Sequence, residues 1–233
     1  MGLIRHLVTL VALTCGSAAL AQDYGAVLTE SARICWDADI AYAKKLAALQ
    51  GLGWTRIEND DDFRAAHRAF SDGQVALNWS GSSKRAKDDL ERLLRFSGVP
   101  NPQKAGDPRF GVKFKMDIAG APSYFEISPS FLGPKPEPGD FDSLSGAAYC
   151  ATALNRTVDP TLALPEGVTW EADAPSELGH FFFARNEDPS FGWMAAANIN
   201  PISYLKATGK SPTILTYVSM NPQLAISDPN PEN

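Results

Sequence analysis

The stretch Phe110–Ser128, FGVKFKMDIAGAPSYFEIS, decides the fold class. Phe110, Val112, Phe114, Met116 and Ile118 alternate with Lys113, Lys115 and Asp117, which predicts a strand with one dry face and one wet face. Ala119-Gly120-Ala121-Pro122 carries turn signals, and Tyr124 to Ser128 returns as the hairpin partner. A chain whose strands come back through short turns, in runs rather than in strict alternation with helices, predicts an α+β fold with a mainly antiparallel sheet and a few helices.

Upstream, the pattern is mostly helical. Cys35, Ala38, Tyr42, Leu46 and Leu49 step by three and four, so the sequence predicts one helix that starts between Ala26 and Asp37 and stops at Gly51. Trp54 to Glu58 reads as a short strand. Asp60, Asp61 and Asp62 suit an N-cap and first helical turn, because carboxylates favour the positive end of a helix. The short helix they open has Phe63, Ala66, His67 and Phe70 on one face, and Ser71-Asp72-Gly73 is read as its break. Val75, Leu77 and Trp79 then alternate as a strand. Lys84 to Ser97 is a helix with Ser83 as its cap, an apolar stripe at Leu90, Leu93 and Leu94, and Asp88–Arg92 and Glu91–Arg95 spaced as i,i+4 pairs.

Downstream, Gly133 to Gly139, GPKPEPG, reads as a linker, since three prolines and two glycines leave little room for regular structure. Ala147 to Leu154 suits helix or strand equally. Val168–Glu171, His180–Arg185, Phe191–Ala197 and Thr213–Met220 read as strands, and Asn200, Pro201 and Gly209 bracket a short helix. The pairs Cys35/Cys150, Trp54/Trp170 and Trp79/Trp193 are offset by 115, 116 and 114 residues. Such near-equal offsets raise the expectation of two related tandem halves, residues 22–132 and 141–227, joined by a linker at 133–140 and followed by a loose tail at 228–233.

The first residues carry an address. Met1–His6 holds Arg5, Leu7–Leu13 is a short apolar core, and Ala19 and Ala21 form an A-x-A site. This predicts a secretory signal, residues 1–21, cleaved after Ala21, and a mature chain that is periplasmic or secreted. Lipidation at Cys15 is disfavoured, because Ala12 and Thr14 stand where that signal wants Leu and a very small residue. No apolar run in the mature chain reaches membrane length. The formal charge of −6 argues against nucleic acid and anionic headgroups as partners. Cleavage leaves Cys35 and Cys150, and two cysteines in an oxidising compartment predict one disulfide. Asp37 and Asp39 beside Cys35 discourage a thiolate, so a nucleophilic Cys35 is the weaker reading.

Chemistry-bearing patterns are sparse. C-x-x-C, H-x-x-x-H and H-E-x-x-H spacings do not occur, and Glu58–Asp62 lacks the glycine and terminal glutamate of an EF-hand loop, so neither metal nor cofactor is expected. In NWSGSSK, Asn78–Lys84, the serines miss the S-x-x-K spacing, and neither G-x-S-x-G nor G-x-G-x-x-G occurs. His67 on an apolar face and His180 at a strand start read as packed side chains, so no catalytic residue is singled out. Trp36, Trp54, Trp79, Trp170 and Trp193 fill a core or line a groove. The expected function is a non-enzymatic binding module for a partner protein or cell-envelope component. The alternative is a cell-envelope or glycan hydrolase using paired carboxylates drawn from residues such as Glu58, Asp60 and Glu177.

Overall fold

The computed structural model describes residues 23–37, 39–96, 111–129, 148–185 and 192–221. The expected signal, Cys15, the linker at 133–140, the tail at 228–233, and Phe110 and Phe191 at two expected strand starts all lie outside the described residues.

Among the described residues, five helices surround one sheet. They are α1 (Tyr24–Trp36), α2 (Tyr42–Gly51), α3 (Asp60–Leu77), α4 (Ser83–Phe96) and α5 (Pro201–Thr208). The strands are β1 (Thr55–Arg56), β2 (Val112–Ile118), β3 (Ala121–Pro129), β4 (Ala148–Leu154), β5 (Ala172–Ser176), β6 (Gly179–Arg185), β7 (Trp193–Ile199) and β8 (Thr216–Asn221). They pair in the order β1-β2-β3-β4-β8-β7-β6-β5, antiparallel throughout, and the protein is α+β.

The hairpin anticipated from the sequence forms. Val112 pairs with Ile127 and Ile118 with Ala121, which leaves Ala119-Gly120 as a two-residue turn with φ of 49° and 80°. Two successive positive φ values match the twist of the flanking strands, as in a type I′ turn. The expected wet face, however, is covered at Lys113, while Asp117 stays exposed and Lys115 partly so. The Lys113 side chain is only 10% exposed, pairs with Glu126 at 2.7 Å, and holds its ammonium 5.4 and 5.3 Å from the ring centres of Phe63 and Phe70. At Lys113 the alternation separates two covered faces, because α3 lies over that lysine.

The sheet is thus the middle of three layers. Phe114, Phe125, Ile127, Cys150, Met194 and Val218 meet α1 and α2 on one side, while Tyr124, Ala151, Ala153, Ala197 and Tyr217 meet α3, α4 and α5 on the other.

Several local expectations fail for identifiable reasons. The single first helix is two, because the Asp37 carboxylate accepts a bond from the Asp39 amide at 3.1 Å and turns the chain between α1 and α2. Ser71-Asp72-Gly73 does not break α3, and Val75 and Leu77 belong to that helix rather than to a strand. Ser71 bonds back to the His67 carbonyl at 2.8 Å, and Gly73 lies so close to the Tyr217 ring that a side chain would collide with it. Asn59 caps α3, and Ser82 rather than Ser83 accepts the Arg85 amide at 3.3 Å at the start of α4. Asp89, not Asp88, takes Arg92, at 3.1 Å, while Glu91–Arg95 forms as expected.

Of the three near-equal offsets, the Trp54/Trp170 pair stands just before β1 and β5, while the other two join unlike elements. Cys35 is on a helix and Cys150 on a strand, and Trp79 follows α3 while Trp193 opens β7. One stretch supplies the neighbours β1-β2-β3, the other β4-β8-β7-β6-β5, and β3 pairs with β4 along one continuous sheet. Among the described residues both stretches hold consecutive strands as neighbours, β1-β2-β3 in one and β5-β6-β7-β8 in the other, but the helices fall at different places in the two runs.

Candidate binding groove

Among the recesses that the described residues form, one is mainly apolar and one polar, both larger than another between α3 and α4. The apolar one lies against α1, the helix that the disulfide anchors. Cys35 in the last turn of α1 bonds Cys150 in β4, with Cα atoms 6.3 Å apart and both residues fully buried. This fixes the C-terminal end of α1 to a central strand. Tyr24 at the other end donates to the Ile118 carbonyl at 2.7 Å.

A short 3-10 helix, Pro160–Ala163, lies against α1. Its start is read locally: the Asp159 carboxylate accepts the Thr161 amide at 2.9 Å, and Pro160 needs no amide partner at the first position. Trp36 donates its indole N–H to the Ala163 carbonyl at 2.8 Å and ties the turn to α1. The Val158 amide reaches the Thr216 hydroxyl at 2.9 Å and ties it to β8.

Between α1 and this turn lies a groove of about 440 Å³, a volume in the range of small-ligand sites. Ala32, Trp36, Leu162 and Leu164 form its apolar surface, and Arg33, Asp37 and Glu166 bring charge to it. Leu162 is 43% exposed, so a large apolar side chain is offered to solvent here. Beneath Asp37, Lys45 is fully buried and donates to the Cys35 carbonyl at 2.8 Å. Burial pushes its ammonium down to a pKa of about 8, and the Asp37 carboxylate opposes that shift.

The polar recess, about 690 Å³, lies at the β1 edge where α3 begins, and Arg56, Glu58, Asp62, Lys115 and Asp117 line it. Asp62 accepts from the Asn59 side chain at 2.9 Å and pairs with Lys115 at 3.0 Å; these bonds, Asn59's first, hold its carboxyl below the usual range.

The carboxylates expected for the hydrolase are not gathered in one place. Glu58 lines the polar recess, Asp60 sits in the exposed first turn of α3, and Glu177 turns between β5 and β6 at the opposite edge of the sheet. Eight strands at their usual spacing put Glu177 on the order of 30 Å from the β1 edge. His67 meets the Leu93 carbonyl at 2.9 Å and bridges α3 and α4. His180 stacks on Phe182 at 4.6 Å and bonds Asp173, securing the β5–β6 edge; Glu187 lies outside the described residues. Of the tryptophans, Trp54 is in the core and donates to Ser31 at 2.9 Å, Trp79 and Trp170 pack against the two core clusters, and Trp36 lines the groove.

Among the described residues, no three His, Cys, Asp or Glu side chains are placed to hold a metal ion, and no helix is long and apolar enough to cross a membrane. Sequence reasoning missed the groove. Asp159-Pro160-Thr161, a cap followed by proline, was the signal that could have located its second wall. Compared with known protein families, characterised proteins and solved structures, the chain matches none of them.

Proposed function

We propose that this chain is a non-enzymatic binding module that works outside the cytoplasm and holds a partner protein or an envelope component in the groove between α1 and the 3-10 turn. The observation that carries this reading is a groove with an apolar surface whose two walls are already fixed, by the Cys35–Cys150 bond and by the Trp36–Ala163 hydrogen bond. A wall ordered before binding does not lose that entropy on binding, so even a small apolar contact can be productive. The buried disulfide supports an oxidising compartment. Pull-down from envelope extract with the wild-type protein and with Leu162→Asp is the test. Capture that the variant loses supports the reading, and capture indifferent to it removes the groove from the account.

The polar recess favours the second reading, a hydrolase, because Glu58, Asp62 and Asp117 share it. Asp62 argues against its use as the acid partner. A general acid needs a raised pKa, and Asn59 and Lys115 push this one down. Turnover of a glycan that Glu58→Gln abolishes would put this reading first.

A further inference from the structure

We propose, on the footing of that groove as the binding site, that its occupant is a peptide segment presenting one apolar side chain flanked by Lys or Arg. The apolar surface of Ala32, Trp36, Leu162 and Leu164 asks for an aliphatic or aromatic side chain. The charges around it choose the neighbours. Arg33 is the cation lining the groove, and Glu30 already takes its guanidinium at 3.0 Å. Asp37 and Glu166 remain as anions on the lining, with the Asp37 carboxylate accepting a backbone bond from Asp39. Lys45 faces Asp37 from below, but it is fully buried and turned toward the Cys35 carbonyl, so solvent and ligand do not meet it.

Glu30, Asp37 and Glu166 therefore outnumber Arg33 and Lys45, and the chain's net charge of −6 has the same sign. An anionic lipid, a fatty acid or an acidic peptide would meet like charge at the rim, where juxtaposition of like charges suppresses wrong partners. A peptide is favoured over a bare apolar molecule because cationic flanks use both sides of the groove at once. Arg33 and Asp37 project from α1, and Glu166 follows the 3-10 turn.

The test uses the full exported protein and three short synthetic peptides that differ only at their centre: Lys-Phe-Lys, Glu-Phe-Glu and Lys-Ser-Lys. Binding is followed by the emission of Trp36 against a Trp36→Phe control, or by chemical shifts. Lys-Phe-Lys is expected to bind about tenfold more tightly than Glu-Phe-Glu, the worth of two exposed charge pairs, and more tightly still than Lys-Ser-Lys. The preference is expected to shrink at high salt and to vanish in Asp37→Asn/Glu166→Gln, while Leu162→Asp abolishes Phe-dependent binding altogether. Equal affinity for Lys-Phe-Lys and Glu-Phe-Glu, lost in Leu162→Asp, overturns the charge selection and leaves the groove as a binding site. Affinity for the Phe peptides unchanged in Leu162→Asp overturns both. Absence of binding by any of the three overturns the peptide assignment, and the envelope pull-down then decides the groove separately.

Discussion

Two helical layers hold the same sheet by different means. On the α1–α2 side the anchor is covalent: the disulfide, with Tyr24 and Tyr42 donating to the carbonyls of Ile118 and Ile127 at 2.7 and 3.0 Å. On the α3–α5 side the anchor is a buried carboxylate. Asp72 accepts from Tyr204 at 2.8 Å and from both the amide and the hydroxyl of Thr213 at 2.8 Å, and pairs with Arg68 at 2.9 Å. Each layer also helps to frame a recess. The covalently held side carries the apolar groove, and the electrostatically held side carries the polar cleft at the start of α3. The lesson is about pre-organisation: an apolar contact yields little energy per pair, so a groove that relies on it gains most from walls that cannot part.

The largest effect expected from breaking this contrast is loss of the disulfide. Cys35→Ser with Cys150→Ser opens a loop of 115 residues and should lower stability by about 4–5 kcal/mol in the chain-entropy account. Urea melts of the variant and the wild type give the difference, and binding to the groove should weaken in the variant even where it remains folded. A loss below about 1 kcal/mol would mean that the helix is held by its side-chain bonds and would undo the contrast.

The second layer is broken at Asp72. Asp72→Ala leaves the Tyr204 hydroxyl and the Thr213 amide without their acceptor and frees Arg68, which is 18% exposed and can turn toward water. A cost of about 3 kcal/mol is expected, below the disulfide because one stranded partner can be rehydrated. Hydrogen exchange should show α5 loosening before α1, and the reverse order would contradict the division into separately anchored layers.

These two anchors also mark what the sequence could and could not convey. Export logic made Cys35–Cys150 legible, since two cysteines were left with each other as partners. The hairpin at Val112–Ile127 was legible from its period of two, and α5 from Asn200, Pro201 and Gly209. Asp72 was misread, because Ser-Asp-Gly is locally a break signal, while the groups that make it helical, Tyr204 and Thr213, lie 132 and 141 residues away. The same distance problem hid the second face of β2, where Lys113 looks solvated until Phe63 and Phe70 are folded over it. Near-equal tryptophan and cysteine offsets pointed to duplication, yet offsets carry no element type, and the cysteine pair joins a helix to a strand. The groove escaped because its walls, joined by an indole hydrogen bond, are separated by 127 residues.

Lys45 lies buried on the covalently anchored side. Its folded pKa, about 8, lies below the ordinary 10.5. Between those values the unfolded chain binds the proton and the folded one does not, so this group's contribution makes stability rise with pH across that window. The cost of burying the ammonium is fully present below pH 8. Lys45→Met removes the charge while keeping the apolar stem, at the expense of the bond to the Cys35 carbonyl. A gain of about 1–2 kcal/mol is expected at pH 7, fading toward pH 10. Above pH 10 the raised pKa values of buried Tyr42, Tyr204 and Tyr217 act the other way, since the unfolded chain then ionises first. Melts at pH 7 and 9 check the sign, and a variant destabilised equally at both would show that the carbonyl bond outweighs the buried charge.

The smallest effect belongs to the polar cleft, and its smallness is the point. Asp62 and Lys115 pair at 3.0 Å with side chains 33% and 31% exposed. Water screens such a pair, so Lys115→Met should change stability by no more than about 1 kcal/mol and leave the groove's peptide affinity untouched. Because Asn59 and Lys115 hold the Asp62 carboxyl below its ordinary pKa, the stabilisation is present above the unfolded value and is lost as acid brings the pH down through the folded one. The substitution removes the Lys115 share and keeps that of Asn59, so the acid limb should become shallower rather than vanish. A loss as large as that of Asp72→Ala would make the cleft a second rigid site and remove the difference between the two layers, whereas a small loss with unchanged groove binding leaves the apolar recess as the one whose walls are fixed in advance.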